Sequence, residues 1–386
     1  MKINKGNPVH WLYLVAFGIN VACAILLRPF LHRRKTGRVL LYGHKRAGNL
    51  LALHEQAAVE GERLDVAFLT MDPGYFRELR AEQISTVLAI SPRAVLWLAT
   101  TDALVSDHGL HVIEWMLGKS DMKFYDVWHG IPFKGFDADD FKIQHRYDET
   151  WVASPLLQAM YVQRFGFTPE RVQVTGYART DRLVRPRDQV REVKRSFGLP
   201  ADARIVLFAP TWKQDSKNRT CFPFGTEPDH FIRRVTAVAK RHEAILVVRA
   251  HLNSNDALAH GGDGVVEVGF ADFPDTEKLL SITDVLVCDW SSIAFDYLLT
   301  ERPTIFLDVD APFAKGFSLD PSFRYGEVVG GLEALTDTLD RYLADPSSYA
   351  RDHGERAAKI RELVYGPFAD GHAASRCLQR LVSATS

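Results

Sequence analysis

In KFYDVWHGIPFKG, residues 123–135, an apolar run of strand character stops at His129, turns through Gly-x-Pro and presents Lys134. A neutral imidazole near pH 7 can accept a proton, and a lysine a few residues away can meet an anion. In VVRAHLN, residues 247–253, Arg249 and His251 stand two apart, so a strand would turn both to one face. A guanidinium fork beside an imidazole suits phosphate oxygens. DVLVCDWSSIAFDYLL, residues 284–299, runs from an apolar strand through Asp289 to Ser291 and Ser292, which open an apolar helix. Either serine can cap that helix, and its first amides offer a phosphate site. LFAPTWK ends another strand in a turn with Lys213, and GYARTD supplies Arg179 and Asp181. Each pair alone is an ordinary surface feature. Repeated at the ends of several apolar strands, they stand apart from that background and point to a bound phosphate.

Competing chemistries are weakly represented. GHKRAGNL places Gly43 and Gly48 at the spacing of a phosphate-binding P-loop, but Asn49-Leu50 replace its Lys-Ser/Thr pair. A tight turn whose amides can face an anion is what remains. No HExxH or GxSxG occurs, and Cys23, Cys221, Cys288 and Cys377 lack metal-type or CxxC spacing. Reduced thiols, no cofactor and no resident metal are expected. The net charge of −1, from 47 Lys+Arg against 48 Asp+Glu, supplies no field for nucleic acid.

The elements that must position these residues alternate. Apolar strand patterns at RVLLYG, LDVAFLT, KFYDVWHG, ETWVAS and RVQVTGY are separated by helical ones, and AVLWLATTDALVSD carries strand-like and then loop-like signals. After the charged helical stretch 185–200 a second series follows: RIVLFAPTWK, AILVVRAHLN, GVVEVGF, DVLVCDWSS and RPTIFLDVD. The expectation is α/β: two Rossmann-like, doubly wound domains facing a cleft, residues 38–184 and 185–386. The last helical pattern could cross back over the junction. Residues 1–37 form a third element. An uncharged run from Trp11 to Leu27 would span roughly 25 Å as a helix, with Arg28, Arg33, Arg34, Lys35 and Arg38 after it. A membrane anchor, spanning or interfacial, with the bulk of the chain cytoplasmic is preferred to a buried core helix or a signal peptide.

WHGIPFK, TWVASP, GYARTD, FAPTWK, RAH, DVLVCDWSSIAFDYLLTERPTIF and YGPFADGHAASR occur in an order that resembles the CDP-glycerol glycerophosphotransferases, the teichoic-acid primases and polymerases. The likeness covers about residues 38–380 and departs from the family at Ala178, where proline is common. The resemblance implies a GT-B fold at the cytoplasmic face of the cell membrane. It implies an enzyme in which an acceptor hydroxyl attacks the β-phosphorus of CDP-glycerol and expels CMP. The acceptor would be a polyprenyl-diphosphate-linked glycan or a growing polyol-phosphate chain, with the primase-like role preferred on size. By position, His129 matches the family's candidate general base, His251 its second essential histidine, and Ser291 and Ser292 the helix-start phosphate site. Lys134, Arg179, Asp181, Lys213, Arg249 and Asp289 are expected to bind substrate. The alternatives are a GT-B glycosyltransferase using a UDP- or GDP-sugar, a CDP-ribitol-using relative, and a tethered non-enzymatic scaffold.

Overall fold

The structure is a computed structural model and describes residues 3–4, 6–31, 36–61, 63–185, 190–211, 222–250, 264–269 and 273–385. It divides into two compact units, one of residues 1–129, 137–181 and 368–386, the other of residues 130–136 and 182–367. The boundary expected near 184 thus falls at 181/182. The C-terminal segment from Phe368 belongs to the first unit, and the Gly130–Phe136 stretch belongs to the second.

The first unit is built on a seven-stranded parallel sheet: β1 (Gly37–Tyr42), β2 (Leu64–Thr70), β3 (Thr86–Leu88), β4 (Ala103–Ser106), β5 (Lys123–Asp126), β6 (Glu149–Val152) and β7 (Val172–Val174). Their order is 3-2-1-4-5-6-7, so the winding reverses between β1 and β4. Side chains alternate across the sheet. Leu40 and Tyr42 of β1 join one core layer with Phe17, Val21, Ala24 and Leu98. Val39 and Leu41 join the opposite layer with Leu50, Leu53, Leu378 and Leu381. One face is therefore covered by helices Pro8–Leu27 and Pro92–Thr100, the other by Gly48–Glu60 and Ala373–Thr385.

The second unit carries a six-stranded parallel sheet: β8 (Arg204–Ala209), β9 (Ala244–Ala250), β10 (Val265–Gly269), β11 (Val285–Cys288), β12 (Thr304–Leu307) and β13 (Glu327–Val329). Its order, 10-9-8-11-12-13, reverses between β8 and β11. Both units are doubly wound α/β, as the alternating pattern predicts.

Three features differ from the sequence expectation. AVLWLAT is a helix, because Pro92 opens it and Ala94, Trp97 and Leu98 recur at helical spacing on its buried face. Strands β3 and β13 have no clear signal, being three-residue edge strands. The N-terminal helix is also no separate module: Phe17, Val21 and Ala24 are fully buried in the first unit's core. Asn20 Nδ2 donates to the carbonyls of Ala89 and Ser91 at 2.9 and 3.0 Å.

Candidate active site

In an open parallel sheet the crevice beyond the strand C-termini at the reversal point is where ligands bind. In the first unit that crevice is edged by Gly43-His44 after β1 and Asp107-His108 after β4. A Cβ on Gly43 would lie 2.5 Å from Asp107 Oδ1 and 2.7 Å from Leu50, so a larger residue would require one of these side chains to shift. Four imidazoles gather here. The rings of His44 and His108 are 4.5 Å apart, those of His44 and His111 are 6.3 Å apart, and His108 stacks on His129 at 5.0 Å with planes 12° from parallel.

His129 is reached from β5 through Val127 and Trp128, both buried. Trp128 has φ of +37°, which a bulky residue adopts only when its surroundings hold it there. One holding group is Asn49, 97% buried at the start of helix Gly48–Glu60. Its Nδ2 donates to the carbonyls of Val127 at 2.7 Å and Trp128 at 2.9 Å, and its Oδ1 accepts from Arg179 N at 3.1 Å. One side chain thus ties the His129 loop to the 178–180 turn. The residue that breaks the P-loop signature has a different task.

His129 is an exposed residue whose ring lies between Trp128 and His108, with Nδ1 3.3 Å from the Asp107 carbonyl oxygen. A carbonyl can only accept, so Nδ1 carries the proton and Nε2 has its lone pair available. Surrounding protein and the neighbouring His108 lower the His129 pKa toward about 4, Arg179 adding to the effect. That direction keeps the imidazole neutral at pH 7. His108 goes the other way. Burial opposes its charge, but the Asp107 carboxylate 2.6 Å from Nδ1 outweighs burial and raises the pKa. Stacked histidines pushed apart in this manner are suited to hold a neutral base beside a potential cation. Behind them, burial raises the Asp126 carboxyl to about 7. The sequence reading missed His44, His108 and Asn49; SDHG directly after a strand was the available signal for His108.

Other expected site residues have more mixed settings. Arg179 is 94% buried, with its guanidinium 5.2 Å from the Tyr177 ring. It lies in a 3-10 turn, Ala178–Thr180, that forms without the family's proline. Asp181 spends both carboxylate oxygens on the amides of Ala373 (3.0 Å) and Ala374 (2.9 Å), the first turn of the C-terminal helix. These amides have no intrahelical acceptor, so Asp181 acts as a cap from across the unit. Replacing it with alanine is expected to cost about 1–2 kcal/mol of stability, seen in a denaturant titration. Donor KM should stay unchanged; a raised KM with unchanged stability would return Asp181 to the binding site.

In the second unit the reversal-point crevice is edged by Thr211 and by Asp289. Asp289 is 97% buried, and Oδ1 accepts from Thr211 N at 2.7 Å, from Thr211 Oγ1 and from Trp290 N at 2.6 Å. It shapes both loops. Of the two serines that could cap Ile293–Leu298, Ser292 sits at the N-cap but makes no capping bond through its side chain. That helix has only six residues, so its dipole is small. Arg249 donates to the Phe273 carbonyl at 2.8 Å and to Thr276 Oγ1 at 3.1 Å, and burial lowers its pKa to about 10. Lys134 pairs with Phe317 in an antiparallel bridge, its ammonium 5.6 Å from the Phe136 ring. Phe133 beside it packs on Trp290, Phe295 and Phe317, pinning this stretch to the second unit. Gly135 is required there, since a Cβ would fall 2.2 Å from the Lys315 carbonyl oxygen. Lys213 and His251 lie outside the described residues. Among the described residues no group of three or more His, Cys, Asp or Glu is arranged to hold a metal.

The family model for CDP-Glycerol:Poly(glycerophosphate) glycerophosphotransferase matches residues 29–383. A teichoic acid glycerol-phosphate transferase of Staphylococcus aureus is 24% identical over 319 residues, 75% of this chain and 76% of that protein. A teichoic acid poly(glycerol phosphate) polymerase of Staphylococcus epidermidis is 27% identical over 216 residues, half of this chain but only 29% of the polymerase. The solved structure of the wall teichoic acid polymerase TagF with CDPG superposes with a TM-score of 0.76 at 17% identity. It covers 95% of this chain and 93% of that one, which supports the GT-B-like fold.

Proposed function

The chain belongs to the CDP-glycerol:poly(glycerophosphate) glycerophosphotransferase family, and we propose that it moves glycerol phosphate from CDP-glycerol to a lipid-linked acceptor at the cytoplasmic face of the cell membrane. The observation that carries this reading is the imidazole of His129, stacked on His108 and set against the Asp107 carbonyl beside the crevice where the first sheet reverses. Nε2 of His129 takes the acceptor hydroxyl proton as the oxygen attacks the β-phosphorus. The bond from that phosphorus to the bridging oxygen breaks, and CMP leaves with the electron pair. His108, with its raised pKa, supplies positive charge beside the developing phosphate charge. In the second unit the loops set by Asp289 are assigned to the nucleotide, with Lys134, Lys213, Arg249, His251, Ser291 and Ser292 as diphosphate ligands. Arg179 is assigned to the acceptor side, next to His129.

A donor panel tests the substrate. Purified protein and a polyprenyl-diphosphate-linked disaccharide are offered radiolabelled CDP-glycerol, CDP-ribitol or a UDP-sugar. Transfer from CDP-glycerol with stoichiometric CMP release is the expected result. Incorporation from CDP-ribitol alone would make the chain a ribitol-phosphate enzyme, and incorporation from a UDP-sugar alone would overturn phosphate transfer altogether. A primase stops after one or a few additions, so product length on the same gel separates primase from polymerase.

The pH dependence follows from the opposed histidines. A base whose pKa is lowered stays unprotonated as the pH falls, so the acidic limb of kcat/KM is expected below 6.5, the ordinary histidine value. His108 contributes to that lowering, and His108→Ala should move the limb upward toward 6.5. A limb that does not move would separate His108 from the base.

A further inference from the structure

Helix Pro8–Leu27 is apolar on all sides, yet only half of its circumference is used by the fold. Leu14, Phe17, Val21, Ala24 and Ile25 pack into the core of the first unit. The opposite stripe, Leu12, Val15, Ile19 and Leu26, is exposed, with Leu12 67% and Leu26 71% accessible. These positions recur at three- and four-residue intervals or their sums, the spacing of one helix face. Trp11 and Phe30 extend the exposed apolar surface along the helix, and Trp115, itself half exposed, lies 3.1 Å from the position of a Cβ on Gly18. The apolar patch is therefore continuous from the helix onto a second element of the same unit.

We propose that this face lies in the plane of an anionic lipid surface, so that the chain is held at the membrane by an interfacial helix and does not cross it. The proposal rests on the membrane reading above and specifies its geometry. A crossing would need both stripes in hydrocarbon. It would strip Phe17, Val21 and Ala24 from the sheet and break the bonds of Asn20 to Ala89 and Ser91. It would also pull Arg28 from Asp121 and from the Thr101 carbonyl at 2.7 Å. A helix lying along the boundary needs none of this: its outer stripe enters the acyl region while its inner stripe stays in the protein. Tryptophans at the edge of such a patch favour the head-group zone. The sequence sets Arg33, Arg34 and Lys35 directly after the stripe, complementary to anionic lipid. Arg28 and Arg38 do not contribute to that charge, being engaged with Asp121 and with Asp65.

The test is flotation of the full-length protein with vesicles of phosphatidylcholine, with or without phosphatidylglycerol. The protein should float with the anionic vesicles, and Leu12→Glu/Ile19→Glu should reduce partitioning about tenfold or more. Both positions are exposed, so its melting curve should match the wild type. Brominated lipid should quench tryptophan emission in the wild type and much less in Trp11→Phe/Trp115→Phe, a readout that adds no charge. An N-terminal epitope tag on vesicle-bound protein should remain open to added protease. A protected tag would mean a crossing helix, overturning the interfacial geometry while leaving membrane association intact. No flotation at all would remove the membrane reading itself. Unchanged partitioning of the Glu variant, or a wild-type dimer that it dissociates, would assign the face to another partner.

Discussion

His129→Ala is expected to lower kcat for glycerol-phosphate transfer by about a thousandfold, the middle of the range for a lost general base. The residue is exposed and its hydrogen bond to the Asp107 carbonyl is long at 3.3 Å, so stability should hardly change. Donor KM should also persist, because the imidazole acts on the acceptor's proton. The measurement is single-turnover transfer from labelled CDP-glycerol at saturating donor, with a melting curve in parallel. A variant within a factor of about three of wild type would remove His129 from proton transfer. The base would then have to be sought among His44, His108 and His111, whose rings share the same crevice.

Asn49→Ala is expected to have the second-largest effect, about a hundredfold in kcat, although the side chain touches no substrate. Removing it leaves the carbonyls of Val127 and Trp128 without this donor and the Arg179 amide without this acceptor, inside the protein. Stability should fall by about 2–3 kcal/mol on that account. The loss in kcat should nevertheless persist well below the melting temperature, since Trp128 at φ +37° relaxes once the clamp is gone and re-aims His129. Two controls separate positioning from a general loss of structure. In a His129→Ala background Asn49→Ala should cost little further activity, because the group it aims is absent. Asn49→Asp keeps the acceptor for Arg179 but turns a carboxylate oxygen toward two carbonyls, so it should be no better than alanine at pH 7. Additive losses in the double variant would reduce Asn49 to a stability residue.

Much of this site was legible in the chain. His129 stands out because an apolar run ends in an imidazole followed by Gly-x-Pro, and it emerges after β5 stacked on His108 beside the reversal-point crevice. His108 was less visible, since one histidine after a short strand looks like an ordinary loop residue. It gains meaning only through its stacking on His129, twenty-one positions away, and its contact with Asp107. Asp181 shows the converse. Its place beside Arg179 suggested a ligand, whereas the fold brings the amides of a helix nearly two hundred residues later onto its oxygens.

The N-terminal segment marks the limit most clearly. By itself the sequence determined that residues 11–27 form an apolar helix, that strands and helices alternate into two parallel sheets, and that the motifs belong to one transferase family. Periodicity along one helix reports how apolar its surface is, not which stripe finds a protein partner. A helix with two apolar stripes therefore reads like a membrane span. The tertiary structure decided that one stripe completes the first unit's core and the other stays outside. It likewise decided that Asn49 fixes the His129 loop and that the stretch from His129 to Lys134 is divided between two units. Those outcomes depend on contacts between residues distant in the chain, whose energies arise only once the sheets have formed.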